Sequence, residues 1–344
     1  MRASEAGLQA PRGAVELSAP SLLGLLGLVL LALLAAGLVI GPVYLAPDVV
    51  AGALLDRASP EGIIVGEIRL PRVLLAACVG ATLGLAGAAL QGLLRNPLAE
   101  PGIIGTSGFA ALGAVVTLYF GLANVWPWSQ PLGGVLGALV GLALLLAVAG
   151  RMASVLTLIL SGVALSSLAG ACVALALNLA PNPFAALEIA FWLLGSFEDR
   201  SNVHLGLALA PMVLSWLVLL GCGRVLDALT LGEEVAQSLG LPLDRARLQL
   251  VAGVGLGVGA AVAVSGVIGF VGLVTPHLLR PFVGHRPAAL LLPSALGGAC
   301  LLVAADNLVR VLPTTSEVKV GVVTALIGVP FFIMLVIRAR RHLV

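Results

Sequence analysis

The chain has 344 residues, of which 60% are hydrophobic and only 10% are charged, and its formal net charge is +2. This composition excludes an ordinary soluble domain and predicts one all-α polytopic membrane domain over residues 20–344. The longest polar stretches, at 56–72 and 224–247, are too short to bury a core of their own.

Residues 1–19 are predicted to be a cytoplasmic tail, because the apolar run that follows is too long for a signal-peptide core. Both termini are expected in the cytoplasm, where the positive-inside rule places Arg2, Arg12 and the arginines near residue 340. One predicted span, 267–280, is short for a hydrocarbon core of about 30 Å. Hydropathy predicts ten membrane helices, at about 20–45, 70–92, 103–121, 131–149, 154–179, 203–222, 246–265, 267–280, 288–308 and 320–338.

The second predicted helix has small residues every four positions. Gly80, Gly84, Ala88 and Gly92 share one helical face, where another backbone can approach closely. A polar turn, 95–101, follows the helix, and its two prolines cannot continue a regular helix. We expect this turn to present Asn96 and Glu100 to water or to another protein.

Three arginines lie against the outer ends of predicted helices. Arg69 and Arg72 are three residues apart and share a face, and Arg310 closes the ninth predicted helix. They anchor helix ends at the lipid headgroups, or they form a docking site for an acidic partner through guanidinium–carboxylate pairs. Periodicity alone favours the anchoring interpretation.

The chain has no phosphate loop of the GxxxxGK(S/T) type, since its only lysine, Lys319, is followed by valine. This chain therefore cannot hydrolyse ATP by that route. The largest cytoplasmic loop, about 224–245, has an apolar stripe at Leu231, Val235 and Leu239. Acidic residues flank the stripe, which favours a protein groove over an anionic membrane surface.

Four sequence blocks resemble a known family. They are R69-L-P-R72 with Q91-G-L-L-R-N-P-L-A-E-P-G-I-I-G-T-S-G108, then L226-D-A-L-T-L-G-E-E-V-A-Q-S-L-G-L241, G266-V-I-G-F-V-G-L-V-T-P-H-L-L-R280, and A305-D-N-L-V-R310 with G321-V-V-T-A-L-I-G-V-P-F-F332. Together they resemble the permease subunits of binding-protein-dependent ABC importers for iron chelates, haem and cobalamin.

The resemblance implies a bacterial inner-membrane protein with ten helices per subunit. It also implies a homodimer, two cytoplasmic ATPase subunits that bind ATP and Mg, and one periplasmic substrate-binding protein. Membrane lipid is the remaining partner, and no nucleic acid is expected. We expect no cofactor and no metal in this chain itself, and its four cysteines lack the spacing of a metal site.

Functional positions carry over residue by residue from the resemblance. Arg69, Arg72 and Arg310 match the arginines that dock the binding protein, and 96–98 (Asn96, Pro97, Leu98) match an inner gate. No gate residue carries over to 151–157. The predicted ATPase-coupling residues are Leu231, Gly232, Glu233, Ala236, Leu239 and Gly240, with the two glycines turning the chain at either end.

An iron chelate, either a ferric siderophore or haem, ranks first as substrate by family abundance, and cobalamin ranks second. Two other functions are possible on sequence grounds. G105-T-S-G108 also fits the motif of an intramembrane serine protease, with Ser107 as nucleophile and His277 as base. An ion-coupled secondary transporter is disfavoured, because the predicted spans have almost no ionisable residues near mid-membrane.

Overall fold

The computed structural model describes residues 19–126, 128–150, 154–314 and 316–341, and within these ranges the regular structure is entirely helical. Of the predicted tail at 1–19, all but Ala19 lies outside the described residues. The first half of the chain forms α1 (Ala19–Val39), α2 (Pro47–Leu55), α3 (Pro60–Ile63), α4 (Leu70–Leu94), α5 (Thr106–Tyr119), α6 (Leu122–Val125), α7 (Ser129–Ala149) and α8 (Val155–Asn178).

The second half continues with α9 (Pro183–Leu193), α10 (Asn202–Gly221), α11 (Gly223–Leu229), α12 (Glu233–Ser238), α13 (Leu243–Ser265), α14 (Val271–Leu279), α15 (Pro287–Val311) and α16 (Val320–Arg341). Three further turns have other helical geometries. They are a π-helix at Ile64–Arg69 and 3₁₀ turns at Pro101–Ile104 and Arg280–Val283.

Seven described helical segments are long and apolar enough to cross a membrane, and shorter apolar helices accompany them. Six of the seven match predicted spans closely, and the seventh joins α3, the π-helix and α4 into one segment, Pro60–Leu94. The all-α polytopic architecture is therefore confirmed. The exact count of ten crossings stays a prediction.

Three boundaries differ from the sequence-based prediction, each for a local reason. The span predicted at 20–45 is helical only to Val39, because Gly41 and Pro42 follow. The span predicted at 267–280 is helical only from Val271, since Gly266 has a positive φ of 70° and ends α13. Helix α9 was not predicted, because its apolar run is only eleven residues long.

Helices α4 and α13 form the centre of the bundle. In the most apolar window of each, 78% of the residues are buried, compared with 11% for α1. Helix α4 packs against α15, α14 and α13, and α13 packs against α10 and α7. These two central helices position the loops at both ends of the molecule.

The small-residue face of α4 lies against α15, as the glycine spacing predicts. A methyl group added at Gly80 would collide with the carbonyl of Gly298, and one at Gly84 would collide with the carbonyl of Ser294. Gly87 lies on another face of α4, and a methyl group added there would collide with the carbonyl of Gly272 in α14. The spacing of small residues every four positions did not indicate this contact. Helix α4 therefore touches two neighbouring backbones at close range.

Candidate functional site

The outer arginines begin at an irregular turn of helix. Pro71 has no N–H group, so a regular α-helix would lose one hydrogen bond at this point. The chain accommodates the proline with the π-helix Ile64–Arg69, in which the N–H of Leu70 donates to the carbonyl of Val65, five residues back. Arg69 closes the π-helix and Arg72 lies in the first turn of α4.

Arg72 connects three parts of the outer face. Its Nη2 donates to Asp306 Oδ1 of α15 at 2.7 Å, and its Nη1 donates to Glu317 Oε2 at 3.0 Å. Glu317 lies in the segment between α15 and α16. The Asp306 carboxylate also accepts from Arg310, one turn further along α15. Two guanidinium groups and two carboxylates thus form one charge-balanced network.

Arg69 is satisfied differently, by backbone carbonyls at the carboxyl end of α1. Its Nη1 donates to Leu38 O at 2.6 Å and to Val39 O at 2.8 Å, and its Nη2 donates to Val43 O. The last carbonyls of a helix lack partners within the helix and carry partial negative charge, so they suit a guanidinium. Arg310 adds a bond to Gly37 O of the same helix, at 2.8 Å.

The three predicted docking arginines therefore lie together and join α1, α4 and α15. Only Arg72 retains appreciable side-chain exposure, at 11%, compared with 3% for Arg310. An open cavity of about 770 Å³ lies beside the network, and its wall includes Arg310, Glu317 and Glu198.

Sequence reasoning missed Glu198 and Glu317 as members of the outer site. Glu198 pairs with Lys319, and this ion pair connects the loop before α10 to the segment before α16. Both acids lie on loops, where a single charge gives no periodic signal. Their role became visible only when the loops were brought together.

On the cytoplasmic side, the predicted coupling segment forms α11, α12 and the turns around them. Gly232 and Gly240 have φ values of 104° and 75°, so both are left-handed turns, as predicted. The predicted apolar stripe is exposed: Leu231 and Leu239 retain 63% and 62% of their accessible surface. Ala236, in contrast, is fully buried within this chain.

An ion pair holds the coupling segment against the bundle. Glu233, in the first turn of α12, accepts from Arg247 in the first turns of α13, with Nη2–Oε2 at 2.6 Å. Arg247 also lies 3.7 Å from Asp244. Because α13 is a central helix, this pair connects the exposed segment directly to the core. The sequence placed Glu233 off the apolar stripe but did not identify its partner.

The inner turn after α4 has the hydrogen bonds of a Schellman motif. Arg95 adopts a left-handed conformation with φ 49°, the N–H of Asn96 donates to Gln91 O at 3.2 Å, and that of Arg95 donates to Gly92 O at 3.3 Å. Asn96 then accepts from the N–H of Leu98 through its side chain, at 2.9 Å. Asn96 and Pro97 are exposed and Leu98 is half-buried.

The expectation that Glu100 faces water or a partner is wrong. Its Oε1 accepts from the N–H of Phe270 at 2.7 Å, at the amino end of α14. A carboxylate at that position satisfies a free helix N–H and complements the helix dipole. Glu100 therefore ties the inner turn to the short α14.

The two residues of the protease hypothesis lie on different elements. Ser107 is in the first turn of α5, and His277 of α14 packs its ring edge-on against Phe331 of α16, with centroids 5.7 Å apart. The ring contact agrees with a packing role for His277 between helices.

Comparisons with known proteins were made for the whole chain. The sequence model of the FecCD transport family matches residues 28–338. The vitamin B12 import system permease protein BtuC of Vibrio cholerae is 43% identical over 304 residues, which cover 88% of this chain and 89% of that protein. An uncharacterized ABC transporter permease protein of Bacillus subtilis, YvrB, is 42% identical and covers 81% of this chain and 80% of its own.

Among solved structures, an inward-facing ABC transporter assigned to the metal-chelate type superposes with a TM-score of 0.83. It is 34% identical in sequence, and the match covers 93% of this chain and 99% of that one. The similarity therefore extends through the outer arginines, the inner turn and the coupling segment alike.

Proposed function

We propose that this chain, which belongs to the FecCD transport family of ABC importer permeases, imports a corrinoid of the cobalamin type. The family membership makes it a multi-pass permease subunit of the bacterial inner membrane, a transporter component and not an enzyme. It also implies that ATPase and substrate-binding partners work with it. The family match and the relatives support this assignment and give no support to a protease or to an ion-coupled transporter.

The observation that carries the corrinoid proposal is the name shared by several relatives. BtuC permeases of Vibrio cholerae and of Escherichia coli O157:H7 are 43% and 41% identical to this chain, and each match covers more than four fifths of both proteins. The sequence-based ranking placed iron chelates first, and these relatives reverse that order. An iron chelate is the second candidate, because the superposed structure is of the metal-chelate type, at the lower identity of 34%.

Uptake by vesicles that contain the complete transporter tests the substrate. The permease is reconstituted with its ATPase and binding protein, and ATP-dependent accumulation of labelled cyanocobalamin, a ferric siderophore and haem is compared. We expect cyanocobalamin to accumulate and the two iron compounds to stay near the level without ATP. Accumulation of the siderophore or haem alone would reject the corrinoid proposal and leave the importer assignment intact.

For docking of the periplasmic binding protein, we place the principal contact at Arg72. This choice is supported by its residual exposure and by its contact with Glu317, which lines the outer cavity. A carboxylate of the binding protein would then replace Glu317 on the Arg72 guanidinium, while Asp306 stays bound from below. Arg69 and Arg310 hold the rim of this site through α1.

For energy coupling, we propose that the transporter has two cytoplasmic ATPase subunits. Each of them binds the exposed stripe Leu231, Val235 and Leu239 of one copy of this chain. The stripe is apolar and exposed at the tip of a loop, which is the arrangement of a helix that enters a groove on a partner. Replacing Val235 by Ser should reduce copurification of the ATPase. The same change at Val163, an exposed residue of α8, is the control and should have no effect.

The inner gate is proposed at 96–98, where two copies of the chain would meet in a homodimer. The gating role of this turn is supported by the exposure of Asn96 and Pro97 and by the hydrogen bonds that fix the shape of the turn. Cysteine at Asn96 should form an intermolecular disulfide in the assembled transporter under mild oxidation. Cysteine at Arg57, exposed on the outer side, should not. Absence of the Asn96 cross-link in every nucleotide state would contradict the gate.

A further inference from the structure

A basic cavity lies on the cytoplasmic side, beside the start of the coupling segment. Its volume is about 230 Å³, and it lies between the carboxyl end of α4, the turn after α14 and the start of α15. Arg95 lines it from the end of α4, and Arg280 and His285 line it from the turn after α14, with Gln91 and Thr230 as neutral polar neighbours. No carboxylate is among the lining residues that the structure describes.

Arg280 is the central group, and it lacks a countercharge. Its Nη2 donates to Gln91 Oε1 at 2.5 Å, and its buried Nε has no hydrogen-bond partner. Among the described residues, no carboxylate lies within ion-pair distance of Arg95, Arg280 or His285. A partly buried guanidinium that is held only by a neutral amide gains much from an external anion.

The surrounding structure fixes Arg280 in place. Gln91 is buried and donates to the carbonyls of Ala99, Gly272 and Leu273, each at 3.4 Å, so its oxygen is directed at the guanidinium. Asp227 of the neighbouring α11 is already engaged by Arg286 at 3.1 Å and by the N–H of Ala288 at 2.8 Å. The cavity is therefore preorganised and keeps its positive charge.

Two lining residues also have unusual backbone conformations. Arg95 and His285 have φ values of 49° and 62°, in a left-handed region that residues other than glycine seldom adopt. At Arg95 the Schellman motif at the end of α4 accounts for this conformation. Both residues carry basic side chains, and both line the same cavity.

We infer that this cavity binds a phosphate group. Three basic groups converge from two segments, which suits a tetrahedral anion with several oxygens better than a carboxylate with two. A volume of about 230 Å³ holds a phosphate with a few water molecules, since each water takes about 30 Å³. Inorganic phosphate and the headgroup of an anionic phospholipid share this chemistry. The site is additional to the proposed transport function and does not depend on the identity of the cargo.

Binding measurements on the purified full-length permease distinguish the two sources. In one arm, inorganic phosphate is titrated in phosphate-free buffer with a neutral, phosphorus-free detergent. In the other, native mass spectrometry counts lipids retained from phosphatidylcholine nanodiscs with and without phosphatidylglycerol. Saturable binding in the first arm identifies free phosphate, and selective retention of phosphatidylglycerol in the second identifies a lipid headgroup. Either result supports the site, provided that it depends on the lining residues.

The variant Arg280→Gln should weaken the affinity about tenfold or more, because it removes a charge-assisted contact. The matched control is Arg224→Gln, an exposed arginine of α11 that does not line the cavity, and its affinity should equal that of the wild type. If Arg280→Gln does not fold, the double variant Arg95→Asn with His285→Asn replaces it. Both positions are exposed, and asparagine tolerates their backbone conformation.

Three outcomes would overturn the inference. The wild type binds neither phosphate nor phosphatidylglycerol; or the lining variants bind as tightly as the wild type; or Arg280→Gln leaves binding unchanged and instead releases the ATPase. The last result would identify the missing anion as a carboxylate on the partner subunit.

Discussion

The outer arginine network and the cytoplasmic coupling segment carry equally specific motifs, yet the fold treats them in opposite ways. Arg69, Arg72 and Arg310 make contacts mainly with carbonyls and carboxylates of their own chain. Leu231 and Leu239, in contrast, keep most of their surface exposed. A motif therefore identifies a site, but only the tertiary contacts show how much of it is available to a partner.

The physical reason lies in the cost of burying each group. A guanidinium at the end of a buried helix must be paired, so any docking on it requires an exchange of partners. An apolar stripe on a short loop helix has no such requirement and can remain exposed until a partner covers it. Docking at the outer site therefore requires the ion pairs of the arginine network to rearrange. Binding at the coupling segment requires only that a partner cover the exposed apolar stripe.

The largest effect is expected at Asp306, which holds the outer network together. Asp306→Asn removes the charge that two buried arginines share, and we expect the stability to fall by about 3–5 kcal/mol. Thermal unfolding of the purified permease in detergent measures this loss. Asp48→Asn, an exposed acid on α2, is the control. An unchanged unfolding temperature for Asp306→Asn would show that the network adds little to stability.

A smaller effect is expected at the close contact between α4 and α15. Gly84→Ala places a methyl group against the Ser294 carbonyl, and we expect a loss of about 1–3 kcal/mol from the forced separation of α4 and α15. Gly170→Ala in α8 has nothing within 4 Å and serves as the control. Equal melting temperatures for the two variants would mean that the close contact is readily relaxed.

The ion pair between Glu233 and Arg247 sharpens the comparison on the cytoplasmic side. We expect Glu233→Arg and Arg247→Glu each to reduce substrate-stimulated ATP hydrolysis by the assembled transporter several-fold, because the segment loses its contact with α13. The reversed pair should recover much of the activity, with a coupling energy of about 1 kcal/mol. If the losses of ATP hydrolysis in the two single variants simply add in the double variant, the ion pair does not contribute to coupling.

The smallest effect is expected at Glu317. Glu317→Gln removes a carboxylate of this chain that competes with the binding protein for Arg72, while Asp306 remains. The affinity for the binding protein should therefore rise by a few-fold, because an ion pair of this kind is worth about 1 kcal/mol or less. Surface plasmon resonance with the reconstituted permease measures this change. Glu61→Gln, at the start of α3, controls for the loss of one outer negative charge. Equal gains in both variants would indicate a general charge effect.

The sequence predicted the membrane architecture well because hydropathy is a local property. Runs of about twenty apolar residues between charged ends correspond to helices whether or not their neighbours are known. The glycine face of α4 and the turns at Gly232 and Gly240 were equally readable, since both follow from residue size and backbone freedom. The family blocks added the function of the subunit, which composition alone does not contain.

Contacts between residues distant in the chain could not be predicted in this way. Arg72 and Glu317 are 245 residues apart, and Glu100 reaches Phe270 across 170 residues. Nothing in the local pattern at either end specifies its partner, because a single charged residue has no periodicity. The break between α13 and α14 was predicted at residue 266, but its full extent, 266–270, was not, since these residues are as apolar as the helices around them.

By itself, the sequence determined that this protein is a helical membrane permease, and it predicted which segments face each side and which motifs carry its function. These features depend on local hydrophobicity, residue size and the family blocks. Only the tertiary structure decided which charges are satisfied within the chain and which are left open. It neutralised Arg72 and left Arg280 without a countercharge from the described part of the chain, because ionic pairing depends on atoms brought within about 4 Å by folding.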